Sequence, residues 1–294
     1  MRASDLRARL RARGWLLVAR VPWPLWWPLV GPLCVLLALV PNGAAAQWAT
    51  NFAIVTGTTP TRWDVVRGLW SWARNTVTSM QLTRWSRAKV LARTHISADD
   101  EARLRASSAG PGSVLGLSHS GSWDLAGAWA CQSGLPVSSV AENLPGEEFR
   151  IFLELREALG FRIYGHTDPA ALRRLADDVR AHRVVCLLSD RDFSERGVPV
   201  VWRTPSGDFG ASMPPGPALL ALRTGADLMG LAAHYEGGRM VMVLSDPITP
   251  DPECRTHLEK VTSMTQQLCD FLNEQIRRHP HDWHMLQPFF GEPR

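Results

Sequence analysis

The sequence predicts an α/β fold, a central and mostly parallel β-sheet flanked by helices, preceded by a basic, tryptophan-rich helical segment. Three observations predict it. Short apolar runs near 113–118, 137–141, 161–165, 183–189, 227–234 and 239–245 read as strands. Stretches that read as helices, near 122–133, 146–159, 169–182, 214–224 and 254–278, are interleaved with them. Strand–helix alternation at this spacing builds a sheet covered by helices on its faces. Third, the charge balance changes along the chain: residues 1–93 carry 13 Lys/Arg against 2 Asp/Glu, and the remainder carries 19 against 26. The chain is therefore divided into a helical segment over 1–93 and an α/β core over 94–294, packed as one domain.

Residues 1–12 read as a short arginine-rich helix. Nine of the thirteen tryptophans precede residue 86, and residues 21–61 hold no charged side chain. A basic, aromatic segment of this kind suits an anionic surface. The uncharged stretch disfavours a face that tracks nucleic-acid phosphates, which points to membrane rather than nucleic acid. The run Leu25–Val40 is 16 residues long and contains Pro28 and Pro32. A spanning helix needs about 20 apolar residues, and proline removes helical hydrogen bonds, so an interfacial hairpin is expected over a span or a core helix. Arg2–Arg13, the apolar run 29–40 and Ala44–Ala46 also match the parts of a cleaved leader, but the charged start is long and the apolar run is broken. Residues 62–93 read as one amphipathic helix, with Trp63, Val66, Trp70, Ala73, Val77 and Met80 on one stripe and Arg67, Arg74 and Arg84 between them.

Ser97 followed by Asp99, Asp100 and Glu101 marks a helix start. The segment from Pro199 to Pro217 is rich in Pro and Gly and reads as a mobile loop over a site. The five cysteines are scattered, odd in number and without a C-x-x-C pair, which argues against a disulfide framework or zinc knuckle and fits a reducing compartment. The chain contains no Walker A loop, H-E-x-x-H, G-x-S-x-G elbow or Rossmann glycine fingerprint.

The candidate chemistry begins at His119. The apolar run Val114–Leu117 ends in Ser118, His119, Ser120, Gly121 and Ser122, and Asp124 lies five positions beyond the histidine. The spacing alone is weak, because His95 and Asp100 repeat it. Context separates the two pairs: His95 precedes a capped helix, whereas His119 leaves an apolar strand in a Ser/Gly turn, where catalytic groups collect.

The stretch His119–Asp124 resembles the H-x-x-x-x-D signature of glycerolipid and lipid A-type acyltransferases, and is closest to the phosphatidylinositol mannoside acyltransferase branch. Four further blocks follow in the family's order. They are Ala141–Pro145 with Phe152 and Arg156-Glu157; Leu188–Phe193 with Arg196-Gly197-Val198; Met213–Ala218 with Ala221–Ala226; and His281–Pro288. The resemblance spans about residues 115–290 and implies a glycerolipid acyltransferase-like α/β fold with N-terminal membrane-associating helices. It implies transfer of a long acyl chain from acyl-CoA, as co-substrate, to a hydroxyl of a membrane glycolipid, most simply a mannose of phosphatidylinositol mannoside. No cofactor and no metal are expected, since a thioester is already activated, and the expected location is peripheral, on the cytoplasmic face of the cell membrane.

In this reading His119 is the general base and Asp124 its orienting partner, with backbone N–H groups of Ser120–Ser122 offering part of an oxyanion site. Glu142, Arg156, Asp190, Arg191, Asp192, Glu195 and Arg223 are the substrate-binding candidates, and Trp283 and His284 are read as packing. One position departs from the branch: Pro199 stands where its members carry an acid that supports the histidine. Either Asp124 acts alone, Glu195 substitutes, or the acceptor differs. The alternatives are acylation of a lysophospholipid or lipid A-like acceptor, or a membrane lipid-binding protein without catalysis.

Overall fold

The computed structural model describes residues 20–290 except 22, 41, 142–146 and 193–196. The expected helix at 1–12, Glu142 and Glu195 lie outside the described residues. The seven-stranded sheet has the order β1-β9-β8-β2-β5-β3-β4. These strands are β1 (Thr94–Ile96), β2 (Ser113–Leu117), β3 (Val137–Ala141), β4 (Arg162–Gly165), β5 (Val184–Leu188), β8 (Asp227–Glu236) and β9 (Arg239–Leu244). Pairings from β8 through β2, β5 and β3 to β4 are parallel, and β9 runs antiparallel to β8. The expected α/β class and mostly parallel sheet are present. The edge strand β1, too short to leave a pattern of its own, pairs in parallel with β9.

Helices cover both faces. The first five are α1 (Trp23–Leu39), α2 (Gly43–Thr56), α3 (Arg62–Gln81), α4 (Arg87–Arg93) and α5 (Ala98–Ala109). After them come α6 (Trp123–Gln132), α7 (Glu147–Ala158), α8 (Ala171–Arg180), α9 (Gly216–Thr224) and α10 (His257–Arg278). One apolar layer joins Val114, Val185 and Leu228 to Leu220 of α9 and Leu268 and Leu272 of α10. The other joins Leu115, Leu117 and Met229 to Leu104, Leu125 and Trp129. Alternate residues of β2 thus feed opposite layers, as the period of two along a strand requires.

Three expectations are corrected. The stripe over 62–93 is not one helix: Leu82–Arg84 forms a 3₁₀ turn, and the Ser86 hydroxyl accepts from Lys89 N at 3.2 Å to start α4. A serine that satisfies an orphan N–H is a competing local start. The Pro/Gly-rich stretch after Gly197 is not a loop but an antiparallel hairpin, β6 (Val198–Thr204) with β7 (Gly207–Met213). Val198, Val200 and Trp202 point into the core while Pro199 faces out, so the proline lies on an exposed position beside a strand-like alternation that its composition obscures. Third, α1 runs through Pro28 and Pro32 instead of breaking at them. The hairpin expected there is an elbow, in which the Pro28–Leu39 part and α2 meet at 79° and the Asn42 side chain caps the second helix at 2.8 Å. Among the described residues no single helix is long and apolar enough to cross a membrane, although this bent pair passes the test of length and composition together.

Helices α2 and α3 pack on the core. Val55 belongs to the same apolar layer as Trp202 and Leu268. Trp48 of α2 is buried and donates to the Trp283 carbonyl at 3.0 Å. Gly68 of α3 sits directly on the Trp48 indole, where a Cβ would overlap the ring. Gly68→Val is therefore expected to cost about 1–3 kcal/mol through overpacking, read as a lowered urea midpoint with an unchanged slope.

Candidate active site

The register of the sheet assembles the site. Leu117 of β2 pairs with Leu188 of β5, so residues two positions beyond each, His119 and Asp190, emerge side by side at the carboxyl ends of adjacent parallel strands. His119 Nδ1 lies 2.6 Å from Asp190 Oδ1, and the His119 backbone N–H donates to Asp190 Oδ2 at 2.8 Å. The indole N–H of Trp283 donates to the same Oδ2 at 2.9 Å. The carboxylate is fully buried while the imidazole keeps 26% exposure, so the acid is withdrawn behind a ring that still reaches open space.

The electrostatics follow from this enclosure. Burial works against the imidazolium, but the charge and hydrogen bond of Asp190 outweigh it and hold His119 above the ordinary imidazole value. Burial likewise opposes ionisation of Asp190, yet His119 and the donors around the carboxylate bring it below the usual range. His284, next along the tail, is driven by burial and by the His119 charge down to about 3, which keeps it neutral.

The C-terminal tail is structural support for this pair. His284 N donates to the His119 carbonyl at 2.8 Å, Gly121 N donates to the Asp282 carbonyl at 3.0 Å, and Ser120 bridges Trp283. Asn51 of α2 donates to the carbonyls of Met285 and Gln287, each at 2.9 Å. The packing role expected of Trp283 is thus joined by a polar one that the sequence does not suggest. The Gly121 amide, expected as an oxyanion donor, is already committed to Asp282.

The sequence candidates separate into distinct groups. Asp124 does not orient His119. It is the second residue of α6, and its carboxylate takes a two-point contact from Arg156 of α7, Nε to Oδ1 at 2.7 Å and Nη2 to Oδ2 at 3.3 Å. The Asp124 carboxylate is thereby committed to Arg156, and Asp190 takes the role on His119 Nδ1 that Asp124 was expected to have. Asp190 is in turn removed from the expected acceptor clamp. Arg191 pairs with Gln287 of the tail, while Asp192 N donates to the Ser212 carbonyl at 3.2 Å. Pro199 is exposed on β6, and His119 Nδ1 already has its carboxylate in Asp190. Arg223 is exposed in the last turn of α9. Because β8 starts only three residues after that helix and runs parallel to β2, Arg223 lies near the amino ends of the parallel strands, the end opposite His119.

Beside His119 a narrow cavity of about 70 Å³ enters the layer between the sheet and α6. Its walls are apolar, including Leu117, Ala126, Ala130, Phe161 and Leu188. Asp124, Arg156 and Trp123 supply polar atoms to the lining. The Trp123 ring meets His119 edge-on at 5.5 Å between centroids, and its buried N–H has no protein partner among the described residues. The cavity thus has an ion pair and an indole in its largely apolar lining, and Trp123 of that lining touches His119. Among the described residues no group of three or more His, Cys, Asp or Glu could hold a metal ion.

Comparison with known proteins is consistent with this chemistry. A model of the bacterial lipid A biosynthesis acyltransferase family matches residues 6–291. A phosphatidylinositol mannoside acyltransferase of Mycolicibacterium smegmatis is 35% identical over 285 residues, covering 94% of this chain and 89% of that protein. The protein of the same name from Mycobacterium tuberculosis H37Rv is 39% identical over 190 residues, covering 61% of this chain and 55% of that protein.

The enclosure of His119 makes a spectroscopic prediction. In the wild type the ring should titrate above 6.5, the ordinary value, in two-dimensional NMR of the labelled imidazole. Asp190→Asn removes the groups that raise it and leaves burial, the largest opposing influence, so the midpoint should fall below 6.5.

Proposed function

The chain belongs to the bacterial lipid A biosynthesis acyltransferase family, and from that premise we propose that it moves a long acyl group from acyl-CoA to a hydroxyl of a membrane glycolipid, most specifically a mannose of a phosphatidylinositol mannoside. That it is a lipid acyltransferase follows from the family. The donor, the acceptor and the residue roles are our reading. The observation that carries it is a single one: an imidazole tied through Nδ1 to a buried carboxylate, beside an apolar cavity.

In this mechanism the acyl chain lies in the cavity under α6 and brings its thioester carbonyl to His119. Nε2 of the neutral ring takes the proton of the acceptor hydroxyl as its oxygen attacks the carbonyl carbon. The carbon–sulfur bond then breaks, and the imidazolium returns the proton to the leaving thiolate. Asp190 fixes the ring so that Nε2 faces the reactants, and it steadies the imidazolium between the two transfers. The Trp123 N–H offers a donor to the developing oxyanion. The Asp124–Arg156 pair shapes the polar rim, and Arg191, Asp192, Glu142 and Glu195 remain candidates for the acceptor headgroup. No metal or cofactor enters this scheme, because the thioester supplies the activated carbonyl.

A peripheral position at the cytoplasmic face of the membrane suits a lipid acceptor and a soluble thioester donor. The outward face of α1 supports it: Leu25, Leu29, Leu33 and Leu36 are exposed at 60%, 64%, 51% and 55%.

The test is transfer of labelled palmitate from palmitoyl-CoA to extracted membrane lipid by the full chain. His119→Ala should lower kcat by about 10²–10⁴-fold while the wild type labels a mannosylated phosphatidylinositol. Undiminished transfer by that variant removes the catalytic assignment, and label in a product without mannose replaces the acceptor.

A further inference from the structure

Away from the catalytic pair, α1 and α3 enclose a second apolar space. Gly31, Val35, Trp63, Val66 and Trp70 line a groove of about 350 Å³. It adjoins a polar pocket of about 320 Å³, and Arg67 and Trp70 line both. The polar pocket also gathers Arg74, Arg278, His279, His281 and Asp282.

The charges in this pocket do not cancel. Asp282 is the acid of the lining, and its carboxylate oxygens are occupied, one by the Ser71 hydroxyl at 2.5 Å and the other by the Tyr235 backbone N–H at 2.8 Å. His281 is matched by Asp64 at 2.9 Å and Arg278 by Glu274 at 2.9 Å. His279 stacks on His234, and burial lowers both rings' pKa values. Arg74 donates to the Gly238 carbonyl at 2.9 Å and lies 3.7 Å over the Tyr235 ring. Arg67 is exposed, and among the described residues no carboxylate is paired with it. A hydrocarbon slot therefore opens at one end onto Arg67, which has no carboxylate ion pair among the described residues, and onto Arg74, whose charge is offset at longer range by Asp282.

We propose that this is a binding site for one anionic phospholipid of the bilayer, with an acyl chain along the α1–α3 groove and its phosphate on Arg67 and Arg74. Charge complementarity selects the headgroup, and the apolar groove selects a lipid over a free phosphate. The bilayer is the source, since α1, which walls the groove through Gly31 and Val35, also exposes leucines elsewhere on its surface that offer themselves to hydrocarbon. This lipid is bound and not consumed: the site is built from α1, α3 and the end of α10, and shares no lining residue with the cavity beside His119. The proposal stands apart from acyl transfer and does not need it to be correct.

The test titrates the full chain with dihexanoyl phosphatidylglycerol below its micellar concentration, following the fluorescence of the groove tryptophans. Dihexanoyl phosphatidylcholine and glycerol 3-phosphate serve as the controls for charge and for chain. One-to-one saturable binding is expected for the anionic lipid, with each control about tenfold weaker or more. Arg67→Glu, a change at an exposed position, should weaken the anionic lipid about tenfold and leave phosphatidylcholine unchanged. Gly31→Trp should abolish binding by filling the groove, because a Cβ at Gly31 meets nothing within 4 Å and the fold tolerates it. His119→Ala should bind as the wild type does, which separates this site from the acyl-transfer reading. Equal binding of the two lipids, equal binding of glycerol 3-phosphate, or wild-type binding by both Arg67→Glu and Gly31→Trp overturns the proposal.

Discussion

A carboxylate without solvent is the constraint on which the rest of this molecule is arranged. An isolated buried charge costs several kcal/mol unless paired and hydrogen-bonded. Asp190 is fully buried, and its oxygens are met by the imidazole of His119, the His119 amide and the Trp283 indole. Those donors come from two segments far apart in the chain, and each must be held in place. The β2–β5 register holds the first, and the C-terminal tail holds the second. Loss of either leaves the charge uncompensated, so the fold and the ring's orientation are one problem with one solution.

That requirement explains why the N-terminal helices are part of the body. Among the described residues, the tail that carries Trp283 has no helix or strand beyond the turn Pro280–Asp282. It is fixed from outside, by Trp48 and Asn51 of α2 on its carbonyls and by Ser71 of α3 on Asp282 and on His284 Nε2 at 3.0 Å. The β6–β7 hairpin closes the other side, with Trp202 stacked on Trp283 at 5.9 Å between centroids. A tryptophan-rich segment that reads in sequence as membrane-associating therefore also braces the His119–Asp190 pair.

The sheet was legible because its central strands are buried on both faces and read as short apolar runs. His119 was legible because it ends such a run, and the ordered blocks from Ala141 to Pro288 carried the family. The partner of His119 was not legible from local spacing, since Asp190 is 71 positions away and Asp124 offered a nearer acid. A signal existed nonetheless. Leu117-Ser118-His119 and Leu188-Ser189-Asp190 repeat one pattern at the ends of two apolar runs, and in-register parallel strands bring such ends together. The hairpin after Gly197 was hidden for a different reason, because Pro199 and the glycines weaken every local strand signal while pairing and the burial of Trp202 override it.

The two apolar spaces divide the work that a lipid enzyme at an interface must do. The cavity under α6 is narrow and enclosed by the core, and under the proposed acyl transfer a chain entering it would leave the bilayer and lose freedom in return for contact along its length. The groove between α1 and α3 is more open, and under the proposed lipid binding a chain lying there would remain continuous with the membrane. Enclosure suits a substrate that must be aligned with one ring nitrogen, whereas a more open slot ending on Arg67 suits a lipid that only has to stay. Asp282 lies between them, since it lines the basic pocket and its carbonyl holds the Gly121 amide two residues from His119. Through that residue the brace of the His119–Asp190 pair is also a wall of the basic pocket proposed to hold an anionic lipid.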